Sequence, residues 1–252
     1  MGALHQGHLE LVRAARLHAD TVVVSIFVNP LQFNDREDLA RYPRQPEEDR
    51  RMLEAVGADL LLMPAGEEIF RGFTPRTYPL AGLDTLLEGA SRPGHFQGVV
   101  NVVERLLHYV RPDLAIFGEK DRQQLAVIRH AAKENRWPVE ILGHPIVRDP
   151  DGLALSSRNQ RLSAEERRMA PVLYRALCAV RSMAFNHPVA AALAEGMRML
   201  ATEPAVRPDY LTIAHSDTLQ PLTDWQGVDQ AVALVAAQVG PVRLIDNITL
   251  SR

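Results

Sequence analysis

The sequence predicts an α/β fold in which a parallel sheet flanked by helices is followed by a smaller α+β domain with an antiparallel sheet. Short apolar runs alternate with helical segments over roughly the first 142 residues. A turn-rich stretch at residues 148–152 ends that alternation. Two helical segments and then neighbouring strands follow it. We therefore predict two domains, 1–147 and 148–252.

In the first domain, β-branched or leucine-rich runs of strand length predict the strands. Runs of this kind are typical of parallel strands that are buried on both faces. The predicted strands cover residues 21–27, 60–63, 114–117 and 139–142. Helices are predicted from residue 9 onward, at 46–56, at 99–110 and from the 118–121 corner to about 135. Residues 91–98 are predicted to form a loop.

The second domain is predicted to contain two helices and three strands. The helices are expected at residues 164–185 and 189–202, and the strands at 210–214, 231–239 and 242–248. Helices followed by adjacent strands favour an antiparallel sheet with helices on one side.

Composition excludes several classes of function. Of 252 residues, 46% are hydrophobic and 23% charged, which is ordinary for a globular protein. A net charge of −3 and 6% aromatic residues disfavour nucleic-acid binding. Cys178 is the single cysteine, so neither an intrachain disulfide nor a Cys-rich zinc site is expected. No apolar run is long enough to span a membrane and no signal sequence is recognisable, so we expect a cytoplasmic protein.

The first eight residues, MGALHQGH, run directly into a helix-forming segment. His5 and His8 should lie on one face at the helix start, where free backbone N–H groups and the helix dipole favour an anion. Gly7 lets a ligand approach the backbone closely. These residues suggest a phosphate site. Taken alone, these eight residues favour capping or surface histidines, because a short motif has many chance matches.

Polar residues also follow two of the predicted strands. Asn29 and Gln32 come after the first strand, where they could bind a ligand or only stabilise the loop. The stretch GEKD at 118–121, with Gln124 one helical turn later, follows the strand at 114–117. A lysine there can meet phosphate and a carboxylate can bind ribose hydroxyls, although an exposed charged turn has the same composition.

A third cluster, Ser156-Ser157-Arg158, begins the second domain. Two hydroxyl groups and a guanidinium suit phosphate oxygens, although Ser156 and Ser157 could simply cap a helix. The chain has no Gly-x-x-x-x-Gly-Lys-Ser/Thr loop and no Gly-x-Gly-x-x-Gly. A nucleotide would therefore be held by the three clusters together, and we expect them to converge around one triphosphate.

Five segments closely resemble the pantothenate synthetase (pantoate–β-alanine ligase) family, within the H-x-G-H nucleotidyltransferases. They are MGALHQGH at 1–8, FVNPLQF at 27–33, RPGHF at 92–96, FGEKD at 117–121 and LSSRN at 155–159. They occur in order over the whole chain. The resemblance implies a Rossmann-like first domain that binds nucleotide and pantoate, a C-terminal lid domain and a homodimer.

The resemblance also implies a two-step reaction that uses Mg²⁺. ATP and pantoate give pantoyl adenylate and pyrophosphate, and β-alanine then attacks the adenylate to give pantothenate and AMP. His8, His5, Lys120 and Arg158 would be catalytic, with His8 as proton donor. The pantoate-binding residues would be Gln32, Gln124 and Asn29, with Gln32 also at β-alanine. Asn29, Arg92 and His95 are the weaker carry-overs. The ATP-binding residues would be Met1, Gly2, Ala3, Leu4, His5, Gln6, Gly7, His8, Gly118, Glu119, Lys120, Asp121, Val147, Leu155, Ser156, Ser157 and Arg158.

More detailed roles follow from the same resemblance. Asp121 would bind the ribose, the Val147 backbone would bind adenine, and residues 155–158 would close over the phosphates. The two imidazoles, Lys120, Arg158 and Mg²⁺ would supply positive charge where negative charge develops.

Two departures from the family pattern matter. In the family a β-strand and a Pro-Thr pair precede the residue that is Met1 here, so the first strand of the sheet is expected to be missing from this sequence. That strand belongs in the middle of the sheet, and its loss would expose unpaired neighbours. Gln6 stands where the family usually has an acid. Two alternatives stay open: another H-x-G-H adenylyltransferase, and a catalytically idle nucleotide-binding protein.

Overall fold

The computed structural model describes residues 1–32 and 36–252, without the side chains of Arg36, Asp38, Arg41 and Glu67. Phe33, the last residue of the second family motif, lies outside the described residues. The chain forms two compact units, Met1–Pro145 and Ile146–Arg252, and the predicted boundary lies two residues beyond the division between them. Each unit is described by itself.

In the first unit, helices and short parallel strands alternate along the chain, as predicted. The helices are α1 (Gln6–Arg16), α2 (Arg36–Arg41), α3 (Pro46–Ala55), α4 (Gly66–Ile69), α5 (Leu87–Ser91), α6 (His95–Val110) and α7 (Arg122–Glu134). The strands are β1 (Val23–Ser25), β2 (Leu60–Leu62), β3 (Leu114–Gly118) and β4 (Glu140–His144). Two 3-10 helices, Pro30–Gln32 and Glu119–Asp121, follow β1 and β3.

The parallel strands form two separate pairs instead of one continuous sheet. Strand β1 pairs with β2, and β3 pairs with β4. Within the described residues no ladder joins the two pairs. Met1 lies beside β1: its nitrogen donates to the Ser25 carbonyl and its carbonyl accepts from the Phe27 N–H, both at 3.0 Å. This spacing about Ile26 is that of a parallel ladder. The strand expected before Met1 stays a prediction.

The predicted burial of the strands is partly wrong. In β1 Val24 is buried, whereas Val23 and Ser25 on the other face are half-buried. Leu60 and Met63 were expected in a buried strand, but they are 59% and 45% exposed. Apolar composition alone does not show which face of a strand is covered.

Helix α6 begins at His95, four residues before the predicted start, so the predicted loop at 91–98 is wrong for its second half. Gly94 adopts the left-handed conformation (φ 79°) and precedes the first helical residue. The helix then buries His95 and Phe96 in its first turn. This placement brings the start of α6 against the 3-10 helix Pro30–Gln32.

The second unit carries helices against a three-stranded antiparallel sheet. Its elements are a 3-10 helix (Ser157–Arg161), α8 (Ala164–Met169), α9 (Val172–Met183), α10 (Val189–Leu200), β5 (Val206–His215), β6 (Gln230–Val239) and β7 (Val242–Ser251). The strands lie in the order β5-β6-β7. Helices α9 and α10 pack on this sheet through a core that includes Leu173, Leu177 and Ile213. The predicted fold class is thereby confirmed.

Two prolines explain where the second unit differs from its prediction. The helix expected at 164–185 is split into α8 and α9 around Pro171, which lacks an N–H and whose ring crowds the preceding turn. Strand β5 begins four residues earlier than predicted. It accommodates Pro208 through a shift of register between Pro208 and Tyr210. In the described part of the chain, no helix is both long enough and apolar enough to cross a membrane.

The close approach of α6 to residues 30–32 gives a test of the fold. A Cβ on Gly98 would lie 2.2 Å from the Leu31 carbonyl oxygen, and backbone cannot move aside as a side chain can. We expect Gly98→Ala to lower the free energy of unfolding by about 1–3 kcal/mol. Gly66→Ala is the control, since no described atom lies within 4 Å of its added Cβ. Equal urea midpoints for the two variants would contradict the close contact.

Candidate active site

The first turn of α1 holds both histidines by their ring nitrogens. His5 is the N-cap residue, and its Nδ1 accepts from the Gly7 N–H at 3.2 Å. His8 reaches back, and its Nδ1 accepts from the His5 N–H at 3.4 Å. The ring centroids are 4.0 Å apart. The two imidazoles therefore form a reciprocal capping box, with histidine in the place of the usual serine and glutamate.

These hydrogen bonds fix the tautomers. A nitrogen that accepts a hydrogen bond carries no proton, so each neutral ring has its proton on Nε2. Burial lowers the pKa of His5 to about 4; Lys120 adds to the lowering and Asp121 opposes it. Burial, with His5 and Lys120, also holds the pKa of His8 well below its usual value. At neutral pH both side chains are uncharged donors through Nε2.

The electrostatic influence of Lys120 and Asp121 on His5 shows that the first two predicted clusters come together. Both residues lie in the 3-10 helix Glu119–Asp121, which connects the carboxyl end of β3 to α7. Helix α1 also contacts β3. A strand end, a 3-10 turn and a helix N-terminus thus meet at one place, the usual position of ligand sites in α/β folds.

Gln32 is held beside this place through its backbone. Its carbonyl accepts from His95 Nδ1 at 2.8 Å and from Arg92 Nη2 at 3.1 Å. Because a carbonyl only accepts, His95 carries its proton on Nδ1, and its Nε2 accepts from Arg92 Nη1 at 3.2 Å. Burial, with Arg92, lowers the pKa of His95 to about 4, against the opposing effects of the Gln32 carbonyl and Asp121. His95 is therefore neutral at pH 7.

The influence of Asp121 on both His5 and His95 links the cluster around Gln32 to the histidine pair. Gln124 lies half-buried on α7, one turn beyond the exposed Asp121. The structure thus brings His5, His8, Lys120, Asp121 and the cluster around Gln32 within electrostatic reach of one another in the first unit. Contact of Gln124 with this group stays a prediction.

Other predicted site residues are already engaged by the fold. Asn29 is 1% exposed; its Nδ2 donates to the Gly98 carbonyl, and its Oδ1 accepts from the Leu31 N–H. Ala3 and Leu4 are buried, and their N–H groups donate to the Asp49 carboxylate. Gln6 is exposed and donates to Glu10. Direct contact of these residues with ATP or pantoate stays a prediction.

The third predicted cluster lies in the second unit. Ser156 is the N-cap of the 3-10 helix Ser157–Arg161, and its Oγ accepts from the Arg158 N–H at 3.3 Å. Ser157 is buried. The Val147 carbonyl accepts from the Leu155 N–H at 3.0 Å. Ser156 thus performs the capping role that the sequence left open. The convergence of residues 155–158 with the first cluster stays a prediction.

Comparison with known proteins identifies the family. The model of the pantoate-beta-alanine ligase family matches residues 1–249. The chain belongs to that family. A pantothenate synthetase from Thermus thermophilus is 52% identical over 250 residues, covering 98% of this chain and 90% of the relative. A pantothenate synthetase from Chloroflexus aurantiacus is 51% identical over 251 residues, covering 98% and 88%.

Solved structures agree with this membership of the pantoate–β-alanine ligase family. The crystal structure of the enzyme from Thermus thermophilus superposes with a TM-score of 0.94 at 52% identity, covering 98% of this chain and 90% of that one. A pantoate-beta-alanine ligase from Francisella tularensis, complexed with beta-gamma ATP and beta-alanine, superposes with a TM-score of 0.80 at 33% identity. That match covers 98% of this chain and 86% of the Francisella chain.

Two residues that the sequence did not single out hold the backbone near this candidate site. Gln123 is 3% exposed; its side chain accepts from the Glu88 N–H and donates to the Leu83 and Leu86 carbonyls, which fixes the loop before α5. Asp49 is 1% exposed and contacts the backbone before His5. The glutamine pair at 123–124 and the acids at 47–49 are visible in the sequence, but nothing there shows which member faces inward.

The buried neutral side chain of His95 predicts a pH dependence of stability. The unfolded state takes up a proton at His95 near pH 6.5, whereas the folded state takes it up near pH 4. The free energy of unfolding should therefore be insensitive to this group above pH 6.5 and fall by roughly 2–3 kcal/mol between pH 6.5 and 4. His95→Asn retains a donor near the Gln32 carbonyl and should remove most of that loss in urea titrations at pH 7 and 4.5. His18→Gln, at an exposed position, should leave the loss unchanged. A wild-type loss equal to that of His95→Asn would contradict the assignment.

Proposed function

We propose that this chain condenses pantoate with β-alanine to pantothenate, a precursor of coenzyme A, and that it acts as a cytoplasmic homodimer. ATP and pantoate first give pantoyl adenylate and pyrophosphate. The β-alanine amine then attacks the adenylate carbonyl. The new C–N bond forms as the acyl–oxygen bond to phosphate breaks, one proton is lost from nitrogen, and AMP leaves. Membership of the pantoate–β-alanine ligase family supports the reaction as a whole.

The observation that carries this proposal is the histidine pair at the N-terminus of α1 beside Lys120. Attack of a carboxylate on the α-phosphorus brings two anions together and moves charge onto departing pyrophosphate. Backbone N–H groups at a helix start, two Nε2–H donors and one lysine suit those oxygens. A site for an uncharged substrate would not need a lysine and several N–H donors directed at one place.

The lowered pKa values change the role that the sequence assigned to the histidines. Both imidazoles were expected to supply positive charge, and His8 to donate a proton. With lowered pKa values the empty site would instead present neutral Nε2–H donors beside the charge of Lys120, and the role of His8 as proton donor stays a prediction. A bound triphosphate would raise both pKa values, because an adjacent negative charge favours the imidazolium. Nucleotide binding should then be accompanied by proton uptake at pH values between the lowered pKa of each imidazole in the empty site and its raised pKa in the complex.

Pantoate would be oriented by amides. The Gln32 and Gln124 side chains are half-buried and can hydrogen-bond its hydroxyl and carboxylate groups without forming an ion pair that weakens the nucleophile. Hydrogen bonds from Arg92 and His95 hold the Gln32 carbonyl, and so fix the backbone position from which the Gln32 side chain extends. Asp121, whose charge acts on His5, would accept from ribose hydroxyls.

Magnesium would accompany the nucleotide. Among the described residues no group of three His, Cys, Asp or Glu side chains could hold a metal ion. We expect the Mg²⁺ ion to be held by phosphate oxygens of the nucleotide and by water, the coordination that Mg²⁺ commonly keeps in nucleotide sites. The ion would neutralise charge on the phosphates. In the second unit, residues 155–158 would close over the same phosphates, and Val147 would offer its backbone to adenine.

Omission of each substrate in turn tests the reaction. AMP should appear only when ATP, pantoate and Mg²⁺ are present, and pantothenate only when β-alanine is added as well. Pantoate-dependent exchange of pyrophosphate into ATP should persist without β-alanine, because the adenylate forms first. Exchange that requires a different acid would favour another adenylyltransferase. ATP binding without exchange would favour an idle nucleotide-binding protein.

Lys120 gives the sharpest single substitution. We expect Lys120→Ala to abolish pyrophosphate release with pantoate, a loss of at least about 10²–10³-fold, because the developing charge loses its cation. The fold should persist, since Lys120 is only half-buried in a short 3-10 turn. Lys133→Ala, at an exposed position in the last turn of α7, is the matched control and should retain wild-type rates. Near-normal pyrophosphate release by Lys120→Ala would refute its role.

A further inference from the structure

A buried carboxylate on α3 anchors the backbone that leads into α1. Asp49 is 1% exposed. Its Oδ2 accepts from the Ala3 N–H at 3.1 Å, and its Oδ1 accepts from the Leu4 N–H at 2.7 Å. Gln45 also donates to Oδ1, at 3.5 Å. Both oxygens of one carboxylate thus serve a segment that lies 45 and 46 positions away in the sequence.

The backbone that Asp49 contacts is in an unfavourable conformation. Ala3 has φ 48°, in the left-handed region that is unfavourable for a residue with a Cβ. In this conformation two successive N–H groups point towards the same anion, the concave arrangement that binds anions in many proteins. Here the anion is a side chain of the protein itself. Such a conformation persists only where the surroundings hold it.

The helix dipole does not account for the placement of this carboxylate. Glu47, Glu48 and Asp49 all lie in the first turn of α3, where any acid is favourable. Glu47 and Glu48 are exposed, whereas Asp49 turns into the protein and meets residues 3 and 4. Burying a carboxylate is costly unless it is well hydrogen-bonded. The contact therefore indicates a specific role for Asp49 in fixing the segment before α1.

We propose that Asp49 is a positioning residue for the histidine pair, and this role rests on the function proposed above. The anchored Leu4 is followed directly by His5, whose ring caps α1 and whose N–H donates to His8. Rotation of the Ala3–Leu4 backbone would move the N-cap, and with it both Nε2–H groups. Asp49 thereby sets where the phosphate donors of the first half-reaction lie without touching the substrate.

Asp49→Asn tests this role. The asparagine keeps the shape, but its NH2 group cannot accept, so one of the two backbone N–H groups loses its partner and faces a donor. We expect ATP affinity to fall about 10-fold and pantoate-dependent pyrophosphate release to fall about 10- to 100-fold, since small misplacements of catalytic groups have effects of this size. Reaction of supplied pantoyl adenylate with β-alanine should stay within about twofold, because pyrophosphate has already left.

The selectivity of the loss separates positioning from simple destabilisation. Asp59→Asn is the matched control: Asp59 also accepts from a backbone N–H, that of Val22, and its other partner is the exposed Arg16. Asp59→Asn should lower the free energy of unfolding without changing the ratio between the rates of the two half-reactions. Glu48→Gln removes the same charge from the same helical turn and should change neither. Should Asp49→Asn not fold, Asp49→Glu retains both acceptor oxygens at shifted positions. Asp49→Glu should again lower pantoate-dependent pyrophosphate release but not the reaction of supplied pantoyl adenylate, and the loss should be about 3- to 10-fold.

Two outcomes overturn the role of Asp49: unchanged ATP affinity in a folded variant, or equal loss in the two half-reactions. Failure of the proposed function looks different, because the wild-type chain would then release no pyrophosphate with pantoate. ATP titration of wild type and Asp49→Asn would still decide the positioning role in that case. A drop in affinity would support it, and equal affinities would end it.

Discussion

The site depends on how the few residues before α1 are held. Met1 hydrogen-bonds on both sides of Ile26 beside β1, while Ala3 and Leu4 donate to the single carboxylate of Asp49 on α3. The segment is therefore fixed by a strand on one side and a helix on the other, with buried side chains beneath it. Its conformation is locally unfavourable, so it depends on these contacts. The direction of α1 and the positions of its capping rings follow from this anchoring.

Holding the histidines by their Nδ1 atoms has an electrostatic consequence. A ring that accepts from the backbone cannot be protonated there without losing the hydrogen bond, and burial disfavours the cation further. At neutral pH the histidine pair therefore presents oriented, uncharged Nε2–H donors, and the positive charge beside them is that of Lys120. This division limits repulsion, because three cations so close together would raise the free energy of the empty site. In the function proposed above, a bound triphosphate would raise the pKa of both imidazoles, so that their charge would depend on whether the site is occupied.

Sequence patterns located most of the architecture, and the misses have definite causes. Apolar runs and helical periodicity placed β3, β4, α7 and both long strands of the hairpin β6–β7, because each carries an apolar run or a helical period of the length expected for its element. The start of α6 was missed because Gly94 marks a turn in either interpretation, and only packing shows that the helix begins next. The exposure of Leu60 was missed because a leucine run does not reveal which face lacks a neighbour. In the site, family motifs found the histidines and Lys120, whereas Asp49 looked like any other acid at a helix start.

The adjacent amides Gln123 and Gln124 show why a motif cannot separate residues that hold the site from residues that touch a ligand. They differ by one position on α7, so their side chains point about 100° apart around the helix. Gln123 is buried, and its polar atoms must be satisfied within the protein; backbone groups of the neighbouring loop satisfy them. Gln124 is half-buried, so water can satisfy its amide and a ligand can replace that water at small cost. Asn29 resembles Gln123 in this respect, since its oxygen and nitrogen both bind backbone. Burial together with satisfied hydrogen bonds, more than residue type, shows that Gln123 and Asn29 hold the backbone around them; contact of Asn29 with pantoate stays a prediction.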